Sequence, residues 1–319
     1  MKFKVPFILV AAVMIAVNIH AAGTTIGDIL DVATGGRATG MGTAYTAAGN
    51  DVESINYNPA GIADITKIEM QYMYWFAFGD IGVHNISYAQ KLENFIVEGK
   101  VGISGVYRYM PIIANEGATD VPVNYYDFVV TGTYASRLDY FIPGDFSKNI
   151  DVGMNLKIIY ENIGIYPLSA YALDLGAQYT PPGSNLKFGA ALQNLGMPVK
   201  LISDMEPLPL TLRLGVAYTM DFLKDNLLLL DFDYIQDFYD TGQFVIGIED
   251  SISKILFLRA GYNLNLDFQS PSYISLGIGL SITRFDFAAF SLSYTYRPVF
   301  WNSQGLFDST HILALEIQM

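Results

Sequence analysis

From about residue 67 onward, apolar and polar positions alternate along the chain with a period of two. In 150–161 one set is Val152, Met154, Leu156, Ile158 and Tyr160, and the other is Asp151, Gly153, Asn155, Lys157, Ile159 and Glu161. In 210–221, Leu210, Leu212, Leu214, Val216, Tyr218 and Met220 alternate with Thr211, Arg213, Gly215, Ala217, Thr219 and Asp221. Ile274, Leu276, Ile278, Leu280 and Ile282 alternate in the same way with Ser275, Gly277, Gly279, Ser281 and Thr283. A period of two sends the two sets to opposite faces of a strand. Faces this apolar, opposed by small and polar residues, suit a barrel wall with lipid outside and a crowded lumen inside. A soluble sandwich also alternates, but its buried face rarely runs so long opposite so much glycine and so little charge.

The pattern predicts fourteen strands, at about 67–78, 82–91, 96–108, 123–136, 150–161, 168–180 and 185–195, then 208–221, 226–236, 242–251, 255–264, 272–283, 284–297 and 309–319. An even number is what a bacterial single-chain barrel requires. Connections should alternate between short turns on one side and longer loops on the other. Short turns fall at 181–184, 223–225, 251–254 and 283–284, and long loops at 109–122, 196–207, 265–271 and 298–308, so the long set is expected to face outside. The connections 138–149 and 79–81 break the alternation. Clusters such as Tyr72, Tyr74, Trp75 and Phe76, or Tyr107 and Tyr109, fit the aromatic girdles of a membrane interface.

Composition agrees with this all-β, antiparallel, transmembrane reading. Apolar residues make up 51% of the 319 residues and charged ones 15%, too few charges to cover a soluble surface. The formal charge of −13 makes no nucleic acid an expected partner. With no cysteine, disulfides, thiolate metal sites and a cysteine nucleophile are excluded. At the N-terminus, Lys2 and Lys4 precede an apolar run from 5 to 19, followed by Ala21 and Ala22. Residues 1–22 therefore read as a signal peptide cleaved after Ala21 or Ala22. Beyond them no apolar run is long enough for a spanning helix, and a closed barrel is the remaining way to satisfy the backbone in hydrocarbon.

Residues 23–66 lack the alternation and are rich in small residues, as in Gly35-Gly36-Arg37-Ala38-Thr39-Gly40-Met41-Gly42-Thr43-Ala44-Tyr45. Neither phosphate-loop spacing is present. A stretch of this size and composition, between signal and first strand, is expected to fold as a plug in the lumen of the 67–319 barrel. Its sequence from Gly35 to Ala47, running into Asn56-Tyr57-Asn58-Pro59-Ala60-Gly61-Ile62-Ala63, resembles the N-terminal signature of the PorV/PorQ-like family within the FadL-like outer-membrane transporter superfamily. Ala190-Ala191-Leu192-Gln193-Asn194-Leu195-Gly196, with Leu208-Pro209-Leu210 leading into Arg213-Leu214-Gly215-Val216-Ala217-Tyr218, is also similar to that family. The resemblance implies a fourteen-stranded barrel whose hatch carries an Asn-Pro-Ala tripeptide, here Asn58, Pro59 and Ala60, followed by Gly61. It implies outer-membrane lipids and the barrel-assembly machinery as partners; such barrels commonly end in an aromatic residue, whereas this chain ends in Met319.

Two activities follow from the resemblance. FadL-like proteins pass hydrophobic small molecules through a plugged barrel. PorV-like members dock or shuttle exported protein cargo in secretion. A purely structural barrel or pore is a third reading. Inward-facing charges on this parity are Asp151, Lys157, Glu161, Asp174, Lys187, Arg213, Asp231, Asp233, Glu249, Arg259 and Glu316. They are expected to neutralise one another and hold the plug, with Arg213 and Arg259 as possible contacts for a ligand carboxylate. No cofactor is expected and no metal-binding loop spacing occurs. His84 and His311 have neither a GxSxG nor an HExxH companion, so enzymatic activity is not expected.

Overall fold

The computed structural model describes residues 25–76, 81–92, 98–116, 119–163, 166–201, 204–223, 225–267, 272–285, 288–298 and 309–319. Fourteen antiparallel strands close into one barrel. They are β1 (Glu69–Phe76), β2 (Gly82–Leu92), β3 (Gly99–Glu116), β4 (Thr119–Arg137), β5 (Ile150–Ile163), β6 (Tyr166–Tyr179) and β7 (Leu186–Gly196), then β10 (Thr211–Leu223), β11 (Asn226–Asp237), β12 (Gln243–Ile252), β13 (Leu256–Asn265), β14 (Tyr273–Phe285), β15 (Ala288–Pro298) and β16 (Ser309–Gln318). The wall runs in chain order and closes where β1 pairs with β16, Glu69 opposite Gln318 through Phe76 opposite His311. A separate two-stranded ribbon, β8 (Val199–Leu201) with β9 (Asp204–Glu206), stands between β7 and β10.

The expected in–out parity is the observed one. Leu156, Ile158, Val216, Leu276 and Ile282 are exposed on the outside, where lipid would cover them. Asn155, Lys157, Arg213, Ala217 and Ser275, one residue away, are buried on the inside. Closure leaves no unpaired strand edge among the barrel strands, which a wall in hydrocarbon requires. Turns at one end are tight: Ser253 and Lys254 both have positive φ (53° and 57°) in the β12–β13 hairpin, the geometry of a type I′ turn. This end is called the turn end below, and the opposite end the loop end.

Several boundaries differ from the expectation. The stretch 109–122 is largely strand, because β3 and β4 stay paired from Lys100 opposite Ala135 out to Glu116 opposite Thr119. Strands of 18 and 19 residues far exceed the roughly 9–11 needed to span, so this hairpin projects past the wall. Connection 196–207 carries the β8–β9 ribbon, and 138–149 holds two 3₁₀ turns. The junction expected at 283–284 lies inside β14, where the register shifts between Ile282 and Phe285. The expected signal peptide and the connections 79–80, 268–271 and 299–308 lie outside the described residues.

Residues 25–66 form short pieces rather than long elements: 3₁₀ turns at Asp28–Asp31, Val52–Asn56 and Pro59–Asp64, and a five-residue helix α1 (Gly36–Gly40). Local capping explains where two of these pieces begin. Asp51 accepts from Glu53 N while Ser54 Oγ accepts from Asp51 N, a reciprocal box that starts the second turn. Asn58 starts the third by accepting from Ala60 N at 3.2 Å, with Pro59 pre-set at the first position. Met41, Ala44, Tyr45, Ala47, Val52, Ile55, Ala60 and Ile62 are fully buried against inward-facing residues of the wall. Such burial within a membrane barrel places the apolar core between segment and wall, while the wall's own apolar surface faces outward.

Candidate functional site

Glycine is what allows the N-terminal segment to touch the wall backbone to backbone. A Cβ on Gly153 would overlap Pro59 and Ala60, and one on Gly189 would overlap Thr46. On Gly247 it would stand 2.8 Å from Met41 O, and on Gly261 it would overlap Met41 and Gly42. These are inward positions of β5, β7, β12 and β13, so the contact follows much of the circumference.

Polar side chains of the wall then satisfy backbone groups that the broken elements of the segment leave open, as buried polar groups require. Asp233 Oδ2 accepts from Tyr45 N (3.0 Å), Thr46 N (3.0 Å) and Thr46 Oγ1 (2.6 Å). Asp231 accepts from Ala48 N, and Glu161 from Gly27 N, both at 3.1 Å. Gln178 donates to the carbonyls of Thr46, Ala47 and Gly49, Asn155 to Ile55 O, and Gln193 to Asn56 O. Within the segment, Glu53 receives Gly36 N (2.9 Å), Arg37 N (3.0 Å) and Ala38 N (2.8 Å), besides a hydrogen bond from Gln71. Burial, reinforced by the neighbouring Asp51 carboxylate, pushes Glu53 up to about 7. Burial likewise holds the Tyr45 hydroxyl well above its ordinary value, leaving it a donor to Asp51 Oδ2 at 2.5 Å.

Asn58 to Gly61, the two candidate arginines and the two lumen lysines have partners in or beside this seam. Asn58 donates to Thr46 O at 2.8 Å and to Ala177 O of β6 at 3.1 Å, joining two parts of the segment to the wall. Pro59 and Ala60 fill the space over Gly153, and a side chain on Gly61 would strike Ser54 and Gly49 O. Arg213 donates to Thr46 Oγ1 (3.1 Å) and Thr43 O (2.7 Å), lies 3.5 Å from Asp233, and sits over the Tyr57 ring. Arg259 donates to Glu249 Oε2 (2.7 Å) and Ser293 Oγ (3.1 Å). Glu249 also accepts from Nε and Nη2 of Arg37, whose Nη1 reaches Asp51 and Asn50. Lys157 pairs with Asp174 at 2.8 Å, and Lys187 with Asp64 at 2.5 Å. His84 and His311 both lie on the outward face with tyrosine hydroxyls on their rings, Tyr72 at 2.8 Å and Tyr294 at 2.7 Å.

Two cavities lie on either side of this packed layer. The turn-end cavity is about 500 Å³ and is lined by Asp51, Lys67, Glu69, Glu249, Arg259 and Glu316, among others. The loop-end cavity is about 350 Å³, with Leu30, Val32, Tyr57, Trp75, Tyr273 and Arg297 in its lining. Near the loop end, Asp28, Asp127 and Glu161 bring carboxylate oxygens within 4.8 Å of one another. Arg108 bonds the first two and Tyr125 the third, which accounts for their proximity without an ion. Arg108, Asp127, Glu69 and Arg297 were absent from the inward charges read off the sequence. Extending the parity of Ser293 and Thr295 by one step would have found Arg297.

A model of an uncharacterised protein family (UPF0164) matches residues 16–165. A UPF0164 protein of Treponema pallidum (strain Nichols) is 25% identical over 197 residues, covering 54% of this chain and 44% of that protein. The chain thus spans less than half the length of that curated relative. Among solved structures it is similar to the CymD monoaromatic hydrocarbon channel, with a TM-score of 0.60 at 11% identity over 90% of this chain and 97% of that one. A Pseudomonas aeruginosa FadL homologue gives 0.54 at 11% identity over 89% and 98%. The Pseudomonas putida toluene transporter TodX gives 0.54 at 10% identity over 94% and 98%. The chain has the fold of the FadL-like outer-membrane barrels.

Proposed function

We propose that this protein is an outer-membrane channel that passes hydrophobic small molecules, and that residues 23–66 are its plug. The observation that carries this reading is the layer of segment-to-wall contacts lying between two cavities at opposite ends of a closed barrel. A barrel without a solute to admit has no need for cavities that stop at a removable partition. Arg213, Arg259 and Asn58 to Gly61 act in this scheme as fasteners of the plug, since their polar groups are committed to it or to the wall. The fold shared with a monoaromatic hydrocarbon channel and a toluene transporter supports the choice of solute. The long β3–β4 hairpin and the other long connections face the exterior, and the tight turns face the periplasm.

The test is uptake. Cells expressing the chain in an outer membrane stripped of related channels should accumulate labelled toluene several-fold faster than vector controls. Equal rates, with the barrel folded and in the outer membrane, would remove the transport reading.

A further inference from the structure

Connection 138–149 is long for the turn end, and it holds apolar side chains outward. Tyr140, Phe141, Ile142 and Phe146 are 43%, 51%, 61% and 67% exposed. This is not the exposure of a slack loop, because the backbone around them is bonded into two 3₁₀ turns. Phe141 N and Ile142 N both donate to Leu138 O, at 3.0 and 2.9 Å. Asn149 N donates to Phe146 O, and Ser147 Oγ donates to Gly144 O at 2.8 Å. Thr180 N donates to Asn149 O, which ties the connection to the end of β6. The charges of this stretch pair with one another, Arg137 with Asp139 at 3.2 Å and Lys148 with Asp145 at 2.9 Å. The apolar patch is continuous with the outer wall. The Phe146 ring centre lies 5.3 Å from that of Tyr179, which lies 6.4 Å from that of Phe188 on the outward face of β7. An exposed apolar cluster of this kind marks a contact surface, and the surface it extends is the one that lipid covers.

We infer that connection 138–149 is an interfacial anchor, its apolar side chains seated among the phospholipids of the leaflet at the turn end. That leaflet is the periplasmic one in the orientation proposed above, and the anchor is independent of which solute the lumen admits. Aromatic side chains belong at headgroup level, and an apolar face flanked by charge binds in the plane of the interface. Because each charge has its partner in the same stretch, apolar burial drives the contact and no anionic lipid is needed. The connection occupies one short arc of the rim, between β4 and β5, so it fixes that side of the barrel at interface depth. Anchors of this kind set how a spanning structure sits and tilts in the bilayer.

The chain has no cysteine, so a single cysteine introduced into the full-length protein can be labelled uniquely. Ile142→Cys, Phe146→Cys and Asp145→Cys, the last at a fully exposed side chain of the same connection, each carry an NBD fluorophore. The proteins are refolded into phosphatidylcholine vesicles, and quenching by doxyl-labelled phosphatidylcholine is compared with quenching by iodide present on both sides of the bilayer. Labels at 142 and 146 should be quenched by the doxyl lipid roughly twofold or more beyond the label at 145, with the order reversed for iodide. Phe146→Cys removes the ring packed on Tyr179, so if that variant does not fold, position 142 against 145 decides. Iodide quenching of equal strength at all three positions overturns the anchor. Labels at 142 and 146 shielded from both quenchers overturn it as well, since protein, such as a second copy of the chain, would then cover the patch. Either result leaves the transport reading, tested by uptake, untouched.

Discussion

The glycine seam makes a sharp demand on Gly261. A methyl group there would overlap the backbone of Met41 and Gly42, and backbone cannot swing aside as a flexible side chain can. Gly42 itself holds a φ of 69°, so the turn that would have to move is already in a conformation few residues adopt. Overpacking of this kind costs about 1–3 kcal/mol. If the cost falls on the seating of the plug, and not on strand pairing, the unseated population rises roughly 5- to 150-fold by RT ln K. Gly261→Ala should therefore raise the frequency of open events in planar bilayers by that factor, while the folded barrel keeps its heat resistance on gels. Gly132→Ala is the control, because nothing lies within 4 Å of a Cβ at that exposed position. An open frequency for Gly261→Ala that matches both the wild type and Gly132→Ala would show that residues 41–42 do not close the lumen.

Four further outcomes are expected. Deleting 26–62 should leave a folded barrel of steady, high conductance, since the strand ladder of β1 to β16 does not include those residues; low conductance would place the barrier elsewhere. Leu276→Arg, on the lipid face of β14, should cost about 2–4 kcal/mol near the midplane and lower the midpoint of urea unfolding in bilayers. An unchanged midpoint would reverse the parity of that strand. Replacing Ser253-Lys254 with Asn-Gly should stabilise the β12–β13 hairpin by about 1 kcal/mol, because both positions have positive φ and neither native residue favours it; a lower unfolding midpoint would contradict the turn geometry. If the segment is the proposed plug, Glu53, raised to about 7 by its burial there, binds a proton more tightly when the plug is seated than when it is released. Seating should accordingly be firmest below the ordinary carboxylate range and weaken as pH rises through about 7, so that open events increase from pH 5 to pH 8 and Glu53→Gln flattens the dependence.

The wall was legible because two-residue alternation survives wherever one face meets lipid and the other meets packed protein. Leu212, Leu214 and Val216 against Arg213, Gly215 and Ala217 leave no other assignment. Legibility failed where that contrast ends. Past Tyr109, the β3–β4 hairpin leaves the bilayer, and Pro111, Gly117 and Pro122 read as loop punctuation although backbone pairing continues to Glu116. The β8–β9 ribbon has three residues a side, too few for a period to register. In the N-terminal segment, composition pointed to close packing, and Asn58-Pro59 to a local turn. The partners of Asn58 could not be read, because Thr46 and Ala177 are brought to it only by the closed wall. For the same reason Arg213 and Arg259 looked available in one dimension and are engaged in three.

Closure through β1 and β16 has a consequence for how the molecule is made. Ile68 and Met319 exchange both backbone hydrogen bonds at 2.9 Å, so the last ladder joins residues from opposite ends of the chain. A contact of such sequence separation carries a large loop-closure entropy and forms slowly. The 25–66 segment precedes in the chain every strand it touches, and its buried groups meet wall residues from β1 to β16. Threading those groups into a finished cylinder would strip their water without replacing it until the final register was reached. Assembly in the order of synthesis would avoid that barrier, with the wall closing around the segment and the β1–β16 ladder forming last. Removing the segment should then leave the wall able to close, whereas a misfit at its glycine contacts should surface first as slow maturation of the barrel.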